Sequence, residues 1–217
     1  MISMRIKCGS MSVSTQPDFG TNFSGIFLVS YGLLYNWYAI TDVKNIAATG
    51  WGVPTKANYD TLIAYLGGTS VAGTAMQSTS GFDLLLSGAR TQAGAFVGLG
   101  LYIILGVSDN IFGLVTNGVL VSTSASTSGE QSFKAGLYHR LIKDTTTLTD
   151  GETGTYTGND GRVYRTICIG TQEWLAENLA ETKYRNGNTI PEVTNNSTWA
   201  ALSTGALCVF NNDWSYI

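Results

Sequence analysis

Charge is what this sequence has least of. Only 12 of 217 residues are Lys or Arg and 15 are Asp or Glu, 12% in all, where soluble domains usually carry roughly 25%. Cations this few and this scattered give no footprint for a nucleic-acid backbone, and a net charge of −3 points the same way. Proline is scarce at 3. A surface left so neutral suits an assembly better than a free monomer. The cysteines, Cys8, Cys168 and Cys208, are odd in number and in no metal-ligand spacing, which excludes a zinc site and a full disulfide framework. Cys168 between Ile167 and Ile169, and Cys208 between Leu207 and Val209, read as small buried hydrophobes. The longest apolar run, 26 to 35, is about ten residues and too short to cross a bilayer. The first twenty residues lack the charged-then-apolar pattern of a secretory leader, so the reading predicts neither Sec export nor membrane insertion.

Catalytic patterns are missing as well. There is one histidine, His139, in a strand-like stretch, where a packed side chain is the ordinary role. Serine elbows, HExxH and phosphate-cradling glycine loops do not occur, and GLG at 98 to 100 belongs to a hairpin. Glu173 and Glu177, read as one face of a short helix over 173 to 181, are the one carboxylate pair worth weighing for acid/base or calcium chemistry. The expectation is therefore a non-enzyme with no cofactor and no metal.

What is present is order along the chain. Residues 1 to 30 are polar, with scattered apolar anchors, and read as an arm laid along a neighbouring subunit or added to a sheet edge. YGLLYNWYAI (31 to 40) is strand-like or a short buried segment rich in aromatics. A helix is predicted over 56 to 66, with Thr55 as cap, Tyr59, Leu62, Ile63 and Leu66 on one face, and Gly67 and Gly68 as stop. Short strand candidates separated by turn residues run from 81 to 125, and FKAGLYHRLI (133 to 142) reads as a closing strand. Residues 145 to 159 hold almost nothing to bury and read as a linker. RVYRTICIG then alternates as a strand with Val163, Thr166 or Ile167, and Ile169 inward, STWAAL reads as a helical turn capped by Ser197, and GALCVFNN is a last strand.

The strings DGRVYRTICIG (160 to 170), QEWLAENL (172 to 179), TKYRNGNTIPEVT (182 to 194), STWAAL and TGALCVFNND (204 to 213) resemble the opening of the Fibrobacter-type major paralogous domain, FISUMP. YGLLYNWYAI, TGWGVPTKANYDTLIAYLGG (49 to 68), GARTQAGAFVGLG (88 to 100) and KAGLYHRLIKD (134 to 144) resemble the same family's continuation, so its two halves stand here in inverted order. The resemblance implies an α+β, C-type-lectin-like fold, with 31–144 as the family's C-terminal half and 160–217 as its N-terminal half. Three arrangements fit: a circular permutant, a domain swap that closes a trimer or ring, or a truncated second copy. It also implies structural roles for Trp37, Trp51, Trp174, Glu177 and Asn178. The family's cysteine positions hold Ala47 and Leu141 here. Calcium-dependent relatives use a QPD-like triplet, and the QPD here (Gln16 to Asp18) lies in the arm, outside the resembling region.

Ligand contacts in the wider fold come from the long loops, here 98 to 125, so Tyr102, Asp109, Asn110, Phe112 and Asn117 are the candidate binding residues. Trp214 joins them as a partly exposed aromatic, with Trp199 expected to be partly exposed too. The family's aromatic platform is replaced by Ile104 to Ser108, which favours protein packing over sugar binding. The expectation is a homo-oligomeric attachment protein on the exterior of a phage particle (head fibre, decoration or tail-attached subunit). It would bind other virion proteins through the arm and a host-surface protein or glycan through the loops. A bacterial cell-surface carbohydrate-binding module is the alternative.

Overall fold

The computed structural model describes residues 30–78, 80–111, 115–122 and 126–217. The arm at 1–30 therefore lies outside the described residues but for Ser30, as do Cys8 and the QPD triplet. The chain forms, in order, β1 (Leu34–Tyr35), α1 (Trp37–Ile40), β2 (Trp51–Gly52), α2 (Lys56–Tyr65), α3 (Ala72–Ser78), β3 (Ser87–Arg90), β4 (Phe96–Leu99), β5 (Tyr102–Ile111), β6 (Val115–Ser122), β7 (Ser126–Ser132), β8 (Ile142–Lys143), β9 (Thr153–Thr157), β10 (Val163–Ile169), β11 (Gln172–Leu175), α4 (Asn196–Ala201) and β12 (Leu207–Cys208). This is a mixed α+β fold, mostly sheet, with few and short helices.

Two five-stranded sheets, ordered β2-β8-β11-β10-β9 and β4-β3-β5-β6-β7, are joined by the two-residue ladder of β1 with β12. The first sheet mixes the two segments of the chain: Trp174 of β11 pairs with Ile142 of β8, and β8 in turn pairs with β2. The small ladder does the same, with Leu34 opposite Cys208. Gly32 marks the closest approach. Its φ is 76°, and a Cβ there would lie 2.6 Å from the Cβ of Asn178, so only glycine fits the junction.

Two arginines complete the seam. Arg140 is buried and donates from Nε to Asn178 Oδ1 (2.8 Å), from Nη1 to the carbonyls of Phe82 (2.7 Å) and Leu175 (3.0 Å), and from Nη2 to that of Asp83 (3.3 Å). Burial pulls its guanidinium down to about 10. Arg90 is buried too. It donates to the carbonyls of Gly94 (3.0 Å), Val193 (2.6 Å) and Thr194 (2.8 Å) and to Asn196 Oδ1 (3.0 Å), while its guanidinium lies 4.2 Å from the ring centre of Trp199. A charge taken out of water is tolerable only when its donors are met, and here carbonyl dipoles and aromatic faces meet them.

The helix expected over 56 to 66 is α2. Thr55 and Asn58 cap it reciprocally, Tyr59, Leu62 and Ile63 are buried, and Gly67 and Gly68, at φ of 97° and 92°, end it. Other expectations are corrected. The helix read over 173 to 181 is β11 and a loop: Glu173 is drawn inward to bond Lys143 (2.9 Å), Thr146 (2.6 Å) and Thr166 (2.9 Å), so it does not share a helical face with Glu177. The linker at 145–159 contains β9, because Tyr156 is buried between Trp51 and Tyr164 at centroid distances of 5.0 and 5.7 Å. Val163 is 62% exposed and its neighbour Tyr164 is the inward residue. Asn195, not Ser197, caps α4. Trp199 is fully buried, its N–H donating to the Lys134 carbonyl at 2.7 Å. The closing strand over 133 to 142 is a run of single bridges, Gly136 to Arg90, Leu137 to Tyr35 and Tyr138 to Leu105, before β8.

His139 packs in the core just beyond the Tyr138 bridge. It is buried beside Gly106 and Tyr35, and burial holds the imidazole down at about 4 although backbone groups of both residues oppose the shift. Glu181 is buried on the other side of the seam, where burial, and then the nearby Asp160, raises its carboxyl to about 7 against the backbone N–H groups of Lys183 and Asn159 that it accepts.

Two predictions follow from the seam. Arg140→Met leaves buried carbonyls without donors and should cost about 3 kcal/mol in denaturant unfolding, with Arg140→Lys failing to restore it because an ammonium cannot span the same acceptors. A wild-type midpoint in Arg140→Lys would contradict the seam. The pH dependence has two opposed parts. His139 contributes stability that is lost as pH falls from 6.5 through about 4, whereas Glu181 contributes stability that is lost as pH rises from 4.5 through about 7. Measured as Tm relative to wild type, His139→Leu should therefore gain toward acid and Glu181→Gln should gain toward neutrality; parallel slopes would contradict the assignment.

Candidate interaction surface

The second sheet carries most of the expected binding residues. β5 pairs with β6 from Tyr102 opposite Ser122 to Gly106 opposite Gly118, then bulges before resuming at Asn110 opposite Thr116. The bulge is tied down. Ser108 N–H donates to the Pro54 carbonyl (3.0 Å), and Asp109 Oδ2 accepts the backbone N–H of Lys56 (2.5 Å) at the start of α2. Asp109 is thus the anion at a helix N-terminus, where an unmet N–H and the helix dipole favour it, which gives it a scaffold role. Asn110 and Asn117 are described by backbone alone, and Phe112 lies outside the described residues. Trp214 stands apart, in the 3₁₀ turn Trp214–Tyr216, 48% exposed with its indole N–H on Glu192 Oε1 at 3.1 Å. It does not join the sheet residues.

Tyr102 does line a cavity. A groove of 320 Å³ opens on the outer face of the sheet, over an aliphatic floor of Ala89, Val97, Ile104, Ala135 and Leu137. Thr91, Gln92, Gln131 and Ser132 form its uncharged rim. Arg90 also borders it, but its donors are committed to Gly94, Val193, Thr194 and Asn196. The size falls at the lower end of ordinary ligand or side-chain sites. Beyond the Gly88–Ile103 pair of β3 with β5, residues 136–138 bridge Arg90 of β3 and Leu105 of β5, and the small side chains Ala135 and Ala89 pack together beneath the concavity. Nothing in the sequence flagged it, since it is assembled from three distant stretches.

The family-implied structural residues are placed as follows. Trp174 is buried against Tyr59 and Phe82, Trp51 against Tyr156, and Trp37 stacks on Phe133 at 4.3 Å while remaining half-buried. Glu177 pairs with Arg165 at 3.1 Å, and Asn178 bridges Arg140 to the Tyr31 carbonyl. Among the described residues no cluster of three His, Cys, Asp or Glu side chains could hold a metal, and no helix is long and apolar enough to cross a membrane. Cys168 and Cys208 are buried free thiols, and burial pushes that of Cys208 up to about 11.

A fold that mixes both chain segments in one sheet defines an α+β module. Residues 21–110 match the Fibrobacter succinogenes major domain, and that stretch of the chain belongs to this family. The match takes in YGLLYNWYAI, TGWGVPTKANYDTLIAYLGG and GARTQAGAFVGLG; the strings after residue 110 lie outside it. No curated protein and no solved structure matches the chain.

The scaffold role of Asp109 is testable. Asp109→Ala should destabilise the fold by about 1 kcal/mol, as loss of a helix-terminal acceptor does, seen as a lower denaturant midpoint; an unchanged midpoint would contradict that role.

Proposed function

We propose that this protein is a non-enzymatic attachment protein on the exterior of a phage particle (head fibre, capsid decoration or tail-attached subunit), built on a circularly permuted C-type-lectin-like module. The observation that carries this reading is the outer sheet face: an aliphatic groove whose one charged lining residue, Arg90, has its donors spent on holding the fold together. Such a face offers packing area and fixed hydrogen-bond partners, which is what a protein contact needs. Pairing of β1 with β12 and of β8 with β11 brings the two segments into one module, as both a permutant and a domain swap require, and the permutant is the simpler connectivity. In this arrangement residues 1–30 are the anchor and the far end of β5 and β6 faces the host or a neighbouring protein. A bacterial cell-surface carbohydrate-binding module is the second reading. Trp214 favours it, because a half-exposed indole fixed by Glu192 can stack on a sugar ring.

Co-sedimentation of the full chain with the head and tail proteins of a particle tests the first reading, and a stoichiometric complex is expected. A chain that sediments with none of them, yet is stabilised by glycans in a thermal screen, would overturn it in favour of the second.

A further inference from the structure

Asparagine followed by glycine occurs twice in this chain, at Asn117–Gly118 and Asn186–Gly187. In such a pair the next backbone nitrogen reaches the side-chain amide with least obstruction, because glycine brings no Cβ into the approach. The fold treats the two pairs differently. Gly118 lies in β6, between β5 and β7, opposite Gly106 on one side and Gly129 on the other, so two ladders hold its backbone extended. Gly187 lies at the tip of a hairpin in which Lys183 bridges Thr189, residues 185–189 are exposed, and a Cβ on Gly187 would meet nothing within 4 Å. Only a turn bond restrains its nitrogen: Gly187 N–H donates to the Tyr184 carbonyl at 2.8 Å. Exposed bonds at a loop tip are the first to open.

We infer that Asn186 is a site of spontaneous covalent modification, deamidation to a mixture of aspartate and isoaspartate. The amide that is attacked is already polarised, since Asn188 N–H donates to Asn186 Oδ1 at 3.1 Å, where negative charge develops as Cγ becomes tetrahedral. Gly187 N bonds to Cγ, the Cγ–Nδ2 bond breaks, and the proton of Gly187 N leaves with that nitrogen as ammonia. Water then opens the cyclic imide at one carbonyl or the other, giving aspartate or isoaspartate. The position matters because Arg185 fastens this hairpin to the earlier segment of the chain. Its N–H donates to the Asn45 carbonyl (2.7 Å), its Nε to that of Ala47 (2.9 Å) and its Nη2 to that of Ala48 (3.1 Å). Isoaspartate inserts a carbon into the main chain directly after Arg185, within the turn closed by Gly187 on Tyr184 and by Tyr184 on Asn188. Conversion therefore loosens the seam between the two segments.

Peptide mapping by mass spectrometry of the full chain, held folded at mildly alkaline pH, tests this. Asn186 should gain the mass of an acid severalfold faster than Asn117, and in denaturant that gap should close, because the fold creates it. An intact Asn186, equal rates in the folded chain, or a gap that persists in denaturant overturns the inference. Gly187→Asn keeps a residue tolerant of positive φ and should slow conversion severalfold; wild-type speed in that variant overturns it too. The isoaspartate-rich fraction should unfold at lower denaturant than Asn186→Asp, which carries the acid without the added carbon, and equal midpoints would overturn the loosening of the seam.

Discussion

Two buried guanidinium groups hold the two segments of this chain to one another. Arg140 joins the loop at Phe82 and Asp83 to Leu175 and Asn178, and Arg90 joins the β3–β4 turn to the stretch from Val193 to Asn196. Each spends its donors on acceptors of the fold itself. Arginine suits this role because its planar fork keeps its charge and reaches several carbonyls at once. Everything else along the seam depends on that registration. The Gly32 approach to Asn178, the Leu34–Cys208 pair and the placing of Trp199 under Arg90 all need the segments aligned. A permuted connectivity is compatible with this, since the contacts that specify the fold are long-range and indifferent to where the chain starts.

The residues most legible in the sequence were those whose role is local. Thr55, the spacing of Tyr59, Leu62 and Ile63, and the Gly67–Gly68 stop specify α2 without any tertiary contact, and α2 forms as read. What the sequence hid was decided by partners far away. Glu173 looks helical until Lys143 and Thr166 are placed beside it. The stretch 145–159 looks like a linker until Tyr156 finds Trp51, more than a hundred positions earlier. β7, written STSGEQS, carries no apolar alternation and becomes a strand through the ladder that β6 offers it. The groove was invisible for the same reason, and so was the bond of Asp109 to a helix fifty residues upstream.

The low charge noted at the outset acquires a structural meaning. Its two most deeply buried arginines are consumed internally, Lys143 is drawn to a buried glutamate, and Arg165 is shared between Asp83 and Glu177. That leaves an outer sheet face with little charge to keep neighbours apart, and its neutral rim and aliphatic floor suit a protein built to pack.

The central claim is that both segments fold as one cooperative unit within a single chain. Native-state hydrogen exchange reads this most directly. The amides of Leu137, bonded to Tyr35, and of Leu33, bonded to Leu179 across the seam, should open with the same free energy as those of Ile167 and Thr166 in β10. A C-terminal segment that exchanges well before the Tyr35–Leu137 pairing, with the rest still protected, would show two independent units and contradict the account.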